Sequence, residues 1–190
     1  MEEKFHLLRH HFEEVSSLTD DEWNFVQSHF EYKSLKKHQF LIQLGQPVDF
    51  EFWIIKGLVK AYSIDEKGKE HILQFAMENY WVSDHYAFQH QVPGTIFVDC
   101  LEDSAFFCLS LESRENLCKE VPAVANFFRI KSNHGYINLQ QRVLSLLTMT
   151  AESRYEYLQN KLPQLIQRVP KKLIASYLGV SRETLSRFNG

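Results

Sequence analysis

The chain has little cysteine, which excludes several classes of fold and cofactor. Only Cys100, Cys108 and Cys118 occur in 190 residues, and no Cys-x-x-Cys pair is among them. An odd number at these spacings indicates neither a disulfide framework nor a zinc knuckle, and an iron–sulfur cluster would need a fourth thiolate. We therefore predict inert, partly buried thiols, in keeping with the usual burial of cysteine.

The chain also has no long apolar run, and its opening residues predict no secretory signal. No stretch approaches the roughly 20 apolar residues of a membrane span. The opening residues, MEEKFHLLRHHFEEV, include acidic side chains that a secretory signal avoids. We expect a cytoplasmic protein with no membrane partner, long enough for one large or two small domains.

Histidine is present, but its spacing does not suit a metal site. His6 and His10 are four residues apart with no third ligand placed nearby, and no His-x-His pair occurs. A metalloenzyme built on a β-roll needs two or three histidines that converge from neighbouring strands, whereas His71, His85 and His90 are scattered. The sequence therefore predicts no metal and no enzyme.

Positive charge is scarce overall but concentrated at one end. The 21 basic and 24 acidic residues give a net charge of −3. Residues 161–190 nevertheless contain six basic residues against Glu183 alone, so they carry +5 and the remainder −8. This asymmetry indicates a basic surface for nucleic acid on an otherwise acidic body.

The spacing of apolar residues divides the first part of the chain into helices and strands. Residues 1–31 have helical spacing, and Thr19 with Glu22 forms a capping box for a second helix. From Tyr32 onward, short runs rich in aromatic and β-branched residues alternate with turn signals. The predicted strands are 40–44, 52–55, 58–64, 71–75, 96–101 and 105–110. Many short strands at close spacing predict a β-roll of the jelly-roll type, which commonly encloses a small-molecule cavity.

After the strands the sequence is helical. A short helix at 113–118 precedes Pro122, which opens a helix that no proline interrupts to about residue 148. Residues spaced alternately by three and four along this helix form a coiled-coil seam, namely Phe127, Ile130, His134, Ile137, Gln141 and Leu144. We favour a dimer interface over packing against the chain's own strands, with the two polar positions setting the register.

The segment 171–187, KKLIASYLGVSRETLSR, has the order of a helix, a glycine turn and a second helix. Gly179 can adopt the left-handed conformation of a tight turn, and Ser181 can cap the helix that follows. Leu185 and Phe188 are three residues apart and are expected to face the first helix.

The opposite face of the second helix carries polar and charged residues, namely Arg182, Glu183, Ser186 and Arg187. An arginine fork can meet the two acceptors of guanine, and a carboxylate can accept from the amino group of cytosine. This face is therefore a candidate base reader in the major groove, and a merely solvated helical hairpin is the alternative.

The order of helix, β-roll, long helix and helix–turn–helix resembles the Crp/Fnr superfamily of bacterial transcription regulators over essentially the full length. The most specific match is 174–187, IASYLGVSRETLSR, which is similar to the family's DNA-binding signature. The segment 148–158, TMTAESRYEYL, resembles the support helix of the Bacteroidetes branch.

The resemblance implies particular partners and contacts. It implies a homodimer that binds palindromic double-stranded DNA and works with RNA polymerase. It also assigns DNA contacts to residues at the start and along the second helix: bases to Arg182, Glu183 and Arg187, and phosphates to Ser181 and Thr184.

The β-roll resembles a cyclic-nucleotide-binding domain whose nucleotide-binding residues have changed. In that family a Gly-Glu pair opens a short helix, and a following arginine pairs with the cyclic phosphate. Here Ser83 and Asp84 stand at the pair, and no arginine lies between Lys69 and Arg114. Without a cationic partner the phosphate loses its main charge-assisted contact, so we predict that neither cyclic AMP nor cyclic GMP binds.

An effector of another kind remains a hypothesis. Its candidate pocket is lined by Trp81, Ser83, Asp84, Tyr86 and Phe88. The alternative is that these side chains simply fill the space.

The sequence thus predicts an α+β chain of N-terminal helices, an antiparallel β-roll, a long dimerisation helix and a C-terminal helix–turn–helix. The predicted divisions are 1–120, 121–148 and 149–190. We predict a dimeric DNA-binding transcription regulator; the alternative is a small-molecule-sensing β-roll module with weak or no DNA binding. Only three residues follow Arg187, so a short helix without wing strands, whether natural or truncated, is expected to reduce DNA affinity.

Overall fold

The computed structural model describes residues 1–188 of the chain. Two helices come first, α1 (Glu2–Glu13) and α2 (Asp20–Gln27). Glu22 N donates to Thr19 Oγ1 at 3.3 Å, and Thr19 N donates to Glu22 Oε2 at 2.8 Å. The predicted capping box at the start of α2 is therefore confirmed.

Within residues 1–188, eight strands form two four-stranded sheets. The strands are β1 (Glu31–Leu35), β2 (Phe40–Ile42), β3 (Phe50–Lys56), β4 (Leu58–Ile64), β5 (Glu70–Met77), β6 (Trp81–Val82), β7 (Phe97–Cys100) and β8 (Ser104–Ser110). The first sheet has the order β1-β8-β3-β6, and the second has the order β2-β7-β4-β5. The pairs β1–β8, β3–β8, β3–β6 and β2–β7 are antiparallel, so the predicted α+β class with a β-roll is confirmed.

The central strands of the first sheet are buried on both faces. Trp53 of β3 and Phe107 of β8 pack against the helices, in a core that includes Phe12 of α1. Their neighbours Phe52 and Phe106 point between the sheets, where they pack with residues of both sheets. The continuous apolar runs follow from this arrangement, because every side chain of these strands needs an apolar neighbour.

Three elements were not predicted from the sequence. Strand β1, EYKSL, has almost all its side chains exposed, so it lacks the apolar alternation that marks a strand. Strand β6 has only two residues. Helix α3 (His85–His90) is a turn and a half long, which is too short for a helical period to be visible.

The turn between β3 and β4 requires glycine. Gly57 has φ = 110°, a left-handed value that other residues rarely adopt. A Cβ atom at this position would also collide with the side chain of Ser104. The sequence marked a turn here, and the close approach of β8 explains why it is a glycine.

Helices account for most of the chain after β8. They are α4 (Leu111–Glu120), α5 (Pro122–Thr148), α6 (Ala151–Lys161), α7 (Pro163–Arg168), α8 (Lys171–Leu178) and α9 (Arg182–Arg187). None of the helices in residues 1–188 has the length and apolar character needed to cross a membrane. Burial raises the pKa of Cys100 to about 11 and that of Cys108 to about 12, so both thiols are held in the protonated form.

Residue contacts group the chain into two units. The first contains Met1–Ala61 and Phe75–Asn133, and the second contains Tyr62–Gln74 together with the residues from His134 onward. The tip of the β4–β5 hairpin therefore groups with the C-terminal helices. Helix α5 begins in the first unit and ends in the second.

Candidate nucleic-acid interface

The turn between α8 and α9 has the conformation that the sequence predicts. Gly179 ends α8 with φ = 74°. Its N–H donates to Ser176 O at 3.1 Å, and Val180 N donates to Ala175 O at 3.0 Å. These bonds satisfy carbonyls of the last turn of α8. The chain then changes direction, and α9 begins after three residues.

Helix α9 is capped and anchored as expected. Ser181 Oγ accepts from Thr184 N at 3.2 Å, which fixes the first turn. Leu185 is buried, whereas the ring of Phe188 lies 6.1 Å from the ring of Tyr155 in α6. Phe188 thus packs towards α6. The prediction of a short end concerns Asn189 and Gly190, which lie outside the described residues.

The outward face of α9 combines two guanidinium groups with one carboxylate. Arg182, Glu183, Ser186 and Arg187 are all exposed. A hydrogen bond from the backbone of Glu183 lowers the pKa of its carboxyl, and Ser181 and the two arginines act in the same direction. Glu183 is therefore ionised at neutral pH, and the face offers both donors and an acceptor to base edges.

Helix α6 supports the α8–α9 pair through Arg154, an arginine that no sequence pattern singled out. Arg154 Nη2 donates to Leu178 O at 2.8 Å, and Arg154 Nη1 donates to Met149 O at 2.7 Å. Tyr155 and Leu158, which lie on the same helix, are buried. One guanidinium therefore ties the last turn of α8 to the end of α5. A single sequence does not reveal this, because both acceptors are backbone atoms.

Comparison with known proteins shows which families the chain resembles. The family model described as cyclic nucleotide-binding domain matches residues 32–121. An anaerobic regulatory protein of Pasteurella multocida is 28% identical over 170 residues, which cover 83% of this chain. The chain is similar to regulators of the Crp/Fnr superfamily.

Solved structures with the same architecture support the assignment of the Crp/Fnr fold. FixK2 from Bradyrhizobium japonicum superposes with a TM-score of 0.70 at 16% identity, over 84% of this chain and 82% of that one. The c-di-GMP-responsive regulator CLP of Xanthomonas campestris gives a TM-score of 0.71 at 14% identity, over 90% and 89% of the two chains. Identities this low establish the fold alone. The chain also spans only about three fifths of the Pasteurella relative, 61% of its length.

The five candidate effector residues do not line one space in this chain. Trp81 packs against the helix-facing core, with its ring 5.4 Å from that of Phe128. Phe88 is buried between the sheets, and Tyr86 is 62% exposed. The Ser83 hydroxyl donates to Phe50 O at 3.1 Å. The aromatic set therefore divides among two cores and the solvent.

Asp84, which the resemblance aligns with the glutamate of the family's Gly-Glu pair, is buried and satisfied by the chain itself. Its Oδ1 accepts from Ala87 N at 3.1 Å, so it caps α3. Its Oδ2 accepts from Thr95 N at 2.6 Å, Thr95 Oγ1 at 2.8 Å and Ile96 N at 3.2 Å. Burial raises the pKa of Asp84, but these hydrogen bonds outweigh burial and the net direction is downward. The carboxylate oxygens that would meet a ribose are occupied.

The predicted seam on α5 is only partly exposed. Phe127 is fully buried in the first unit, with its ring 4.1 Å from that of Phe12, so including it in an intermolecular seam was wrong. Ile130 is half-buried, and the remaining four residues, His134, Ile137, Gln141 and Leu144, are exposed. The first part of α5 belongs to the core of its own chain because its aromatic side chains fill the space beside α1.

Proposed function

We propose that this chain is a sequence-specific, double-stranded-DNA-binding transcription regulator of the Crp/Fnr type that acts as a homodimer. The observation that carries the proposal is the exposed face of α9. Arg182, Glu183 and Arg187 project from a helix that Gly179 turns away from α8 and that Ser181 caps. Arg182 and Arg187 would donate to guanine, and Glu183 would accept from cytosine.

The phosphate contacts follow from the start of α9. Ser181 is exposed, and Thr184 is half-buried with its hydroxyl 3.1 Å from that of Ser181. Such contacts position the helix on the duplex and carry no sequence information. The six basic residues of the final thirty add to non-specific attraction, so binding should depend steeply on salt.

Dimerisation would use the exposed second half of α5, in a register that differs from the first prediction. Tyr136, Leu139, Val143 and Leu146 are spaced by three, four and three, and all four are apolar and exposed. The predicted positions on that half include polar His134 and Gln141. The apolar set buries more hydrocarbon against a second copy, so we assign the seam to it.

The test begins with selection of a duplex from a random pool, followed by titration at two salt concentrations. We expect a palindromic site and a steep loss of affinity at the higher salt. Arg182→Ala should reduce discrimination against a substituted base by about 1–3 kcal/mol and leave the melting temperature unchanged, because the side chain is exposed.

Lys119→Ala is the matched control, since it removes one exposed positive charge from a helix of the first unit. It should leave both affinity and discrimination unchanged. An equal loss of affinity for every sequence in Arg182→Ala would reject the base-reading role of that residue. Absence of any binding at low salt would favour the alternative, a β-roll module without DNA binding.

The structure bears less directly on the remaining expected partners. RNA polymerase is expected from the family resemblance alone. An effector other than a cyclic nucleotide is still an open hypothesis, but the hydrogen bonding of Asp84 argues against a nucleotide in the family's cassette position. Cyclic AMP should therefore produce no thermal shift in this protein.

A further inference from the structure

The tip of the β4–β5 hairpin has a shape fixed by its own hydrogen bonds. Asp65 Oδ1 accepts from Lys67 N at 2.9 Å and from Lys69 N at 3.0 Å. Asp65 Oδ2 lies 2.8 Å from His71 Nε2 on the returning strand. Gly68, with φ = 77°, closes the turn. The tip can therefore behave as a rigid unit.

This hairpin contacts α8 and the second half of α5 through two side chains. Ser176 Oγ donates to Glu70 O at 2.6 Å. Arg142 Nη2 donates to Ile72 O at 3.0 Å and to Tyr177 O at 3.1 Å. The guanidinium also lies 3.6 Å from the centroid of the Tyr177 ring. We call this set the hairpin contact; all five residues belong to the second unit.

The geometry of the hairpin contact suits a positioning role. Glu70 and Ile72 lie two residues apart on β5, so their carbonyls face the same way. Glu70 O meets Ser176 of α8, and Ile72 O meets Arg142 of α5. Tyr177 O belongs to the last turn of α8, where carbonyls lack partners within the helix. Arg142 donates to this carbonyl, and the same guanidinium also donates to Ile72 O of β5. Only Gly179, Val180 and Ser181 separate this turn from α9.

We propose that Arg142 and Ser176 lock the β4–β5 hairpin onto α8 and thereby fix the orientation of α9 on α5, so that Arg142 is a positioning residue for DNA recognition. The consequence for DNA rests on the proposed function. A dimer that reads two half-sites needs its two α9 helices at a set separation, so a loose α8 must be ordered during binding. Arg142 contributes to affinity in this way without touching a base.

Two variants test the hairpin contact. Arg142→Lys keeps the positive charge but cannot reach two carbonyls and stack on the ring at once. Ser176→Ala removes one hydroxyl. Arg129→Lys is the matched control, since Arg129 lies exposed on the same helix with a bond to Asn126. Each protein is studied at full length by hydrogen–deuterium exchange and by titration of the selected duplex.

We expect amides of residues 66–74 and of α8 to exchange about tenfold faster in both variants, which corresponds to the loss of one charge-assisted or buried hydrogen bond. Affinity for the selected duplex should fall about tenfold with the preference among bases unchanged, in contrast to Arg182→Ala. Arg129→Lys should match the wild type in both measurements.

The outcomes separate the two proposals. Unchanged exchange in both variants would overturn the hairpin contact. Faster exchange confined to the hairpin, with unchanged affinity, would overturn the positioning role. If the wild type binds no duplex, the proposed function fails, and the exchange measurement still decides whether the contact holds α8.

Discussion

At the scale of single residues, Asp84 shows how a ligand-binding position can become a structural one. The family resemblance identified it as a degraded form of a ribose-binding glutamate. Its two oxygens instead accept four hydrogen bonds, one from α3 and three from Thr95 and Ile96. A shorter side chain places the carboxylate among backbone donors of its own segment, where it closes the loop that follows α3.

We expect Asp84→Asn to lower the free energy of unfolding by about 3 kcal/mol, because an amide nitrogen would face buried donors. Urea unfolding at neutral pH measures the effect. The exposed Asp49→Asn serves as control and should change stability by no more than about 0.5 kcal/mol. A small loss in Asp84→Asn would mean that the carboxylate does not hold this segment.

Two buried groups of the first unit give stability opposite dependences on pH. Burial raises the pKa of Glu51 to about 7, although Arg114 at 3.2 Å opposes it. The folded chain then keeps a proton that the unfolded chain has released, so stability falls as pH rises from about 4.5 to 7. Burial lowers the pKa of His11 to about 4, so this residue makes stability rise between about pH 4 and 6.5.

Replacing Glu51 with glutamine removes the contribution of Glu51 to the pH dependence. The rise in stability with pH that His11 causes should then be visible. The stability of Glu51→Gln relative to the wild type should increase steadily from pH 4.5 to 7 and level off above that range. Urea unfolding across this range measures the difference, with the exposed Glu156→Gln as control. A difference that does not vary with pH would show that Glu51 titrates normally.

At the scale of elements, α5 illustrates why helical periodicity could not give the register of the dimer seam. Two sets of residues on the second half of this helix have the same spacing of three and four, and a single sequence does not show which set faces the chain itself. The contacts of Arg142 with Ile72 and Tyr177 mark an inward side of α5 but do not decide between the two sets, because both sets are exposed. We propose the fully apolar set, with Tyr136 68% and Leu139 61% exposed, as the seam because it offers more apolar surface to a second copy.

Leu139→Asn should raise the dissociation constant of the dimer at least about tenfold, because a central apolar contact becomes polar. Ile137→Asn is the matched control, since Ile137 is also an exposed apolar residue of α5, 48% exposed, and belongs to the other set. Sedimentation equilibrium measures both constants. A larger effect from Ile137→Asn would restore the register that the sequence first suggested.

At the scale of the whole molecule, the chain groups into units that do not follow the order of its elements. The sequence predicted successive blocks, with the β-roll ending near residue 120. The contacts instead place Tyr62–Gln74, from the middle of the strands, with the C-terminal helices. Long-range contacts of this kind involve the backbone carbonyls of Glu70 and Ile72, which carry no residue-specific signal.

Local chemistry explains which features the sequence by itself determined. The capping box of α2, the proline that opens α5, the Gly179 turn and the Ser181 cap each depend on residues within a few positions of one another. The strands other than β1 and β6 followed from apolar runs, because both faces of the central strands are buried. The exposed charged face of α9 followed from helical spacing alone.

Tertiary structure decided what distant parts of the chain do to each other. Asp84 is satisfied by groups eleven and twelve residues away, and Arg142 bonds to carbonyls 70 and 35 residues away. Phe127 packs in the core of its own chain because α1 lies beside it. Apart from the Thr95 hydroxyl, the partners are backbone atoms or a surface formed only on folding, so no pattern of side chains along the sequence could predict them.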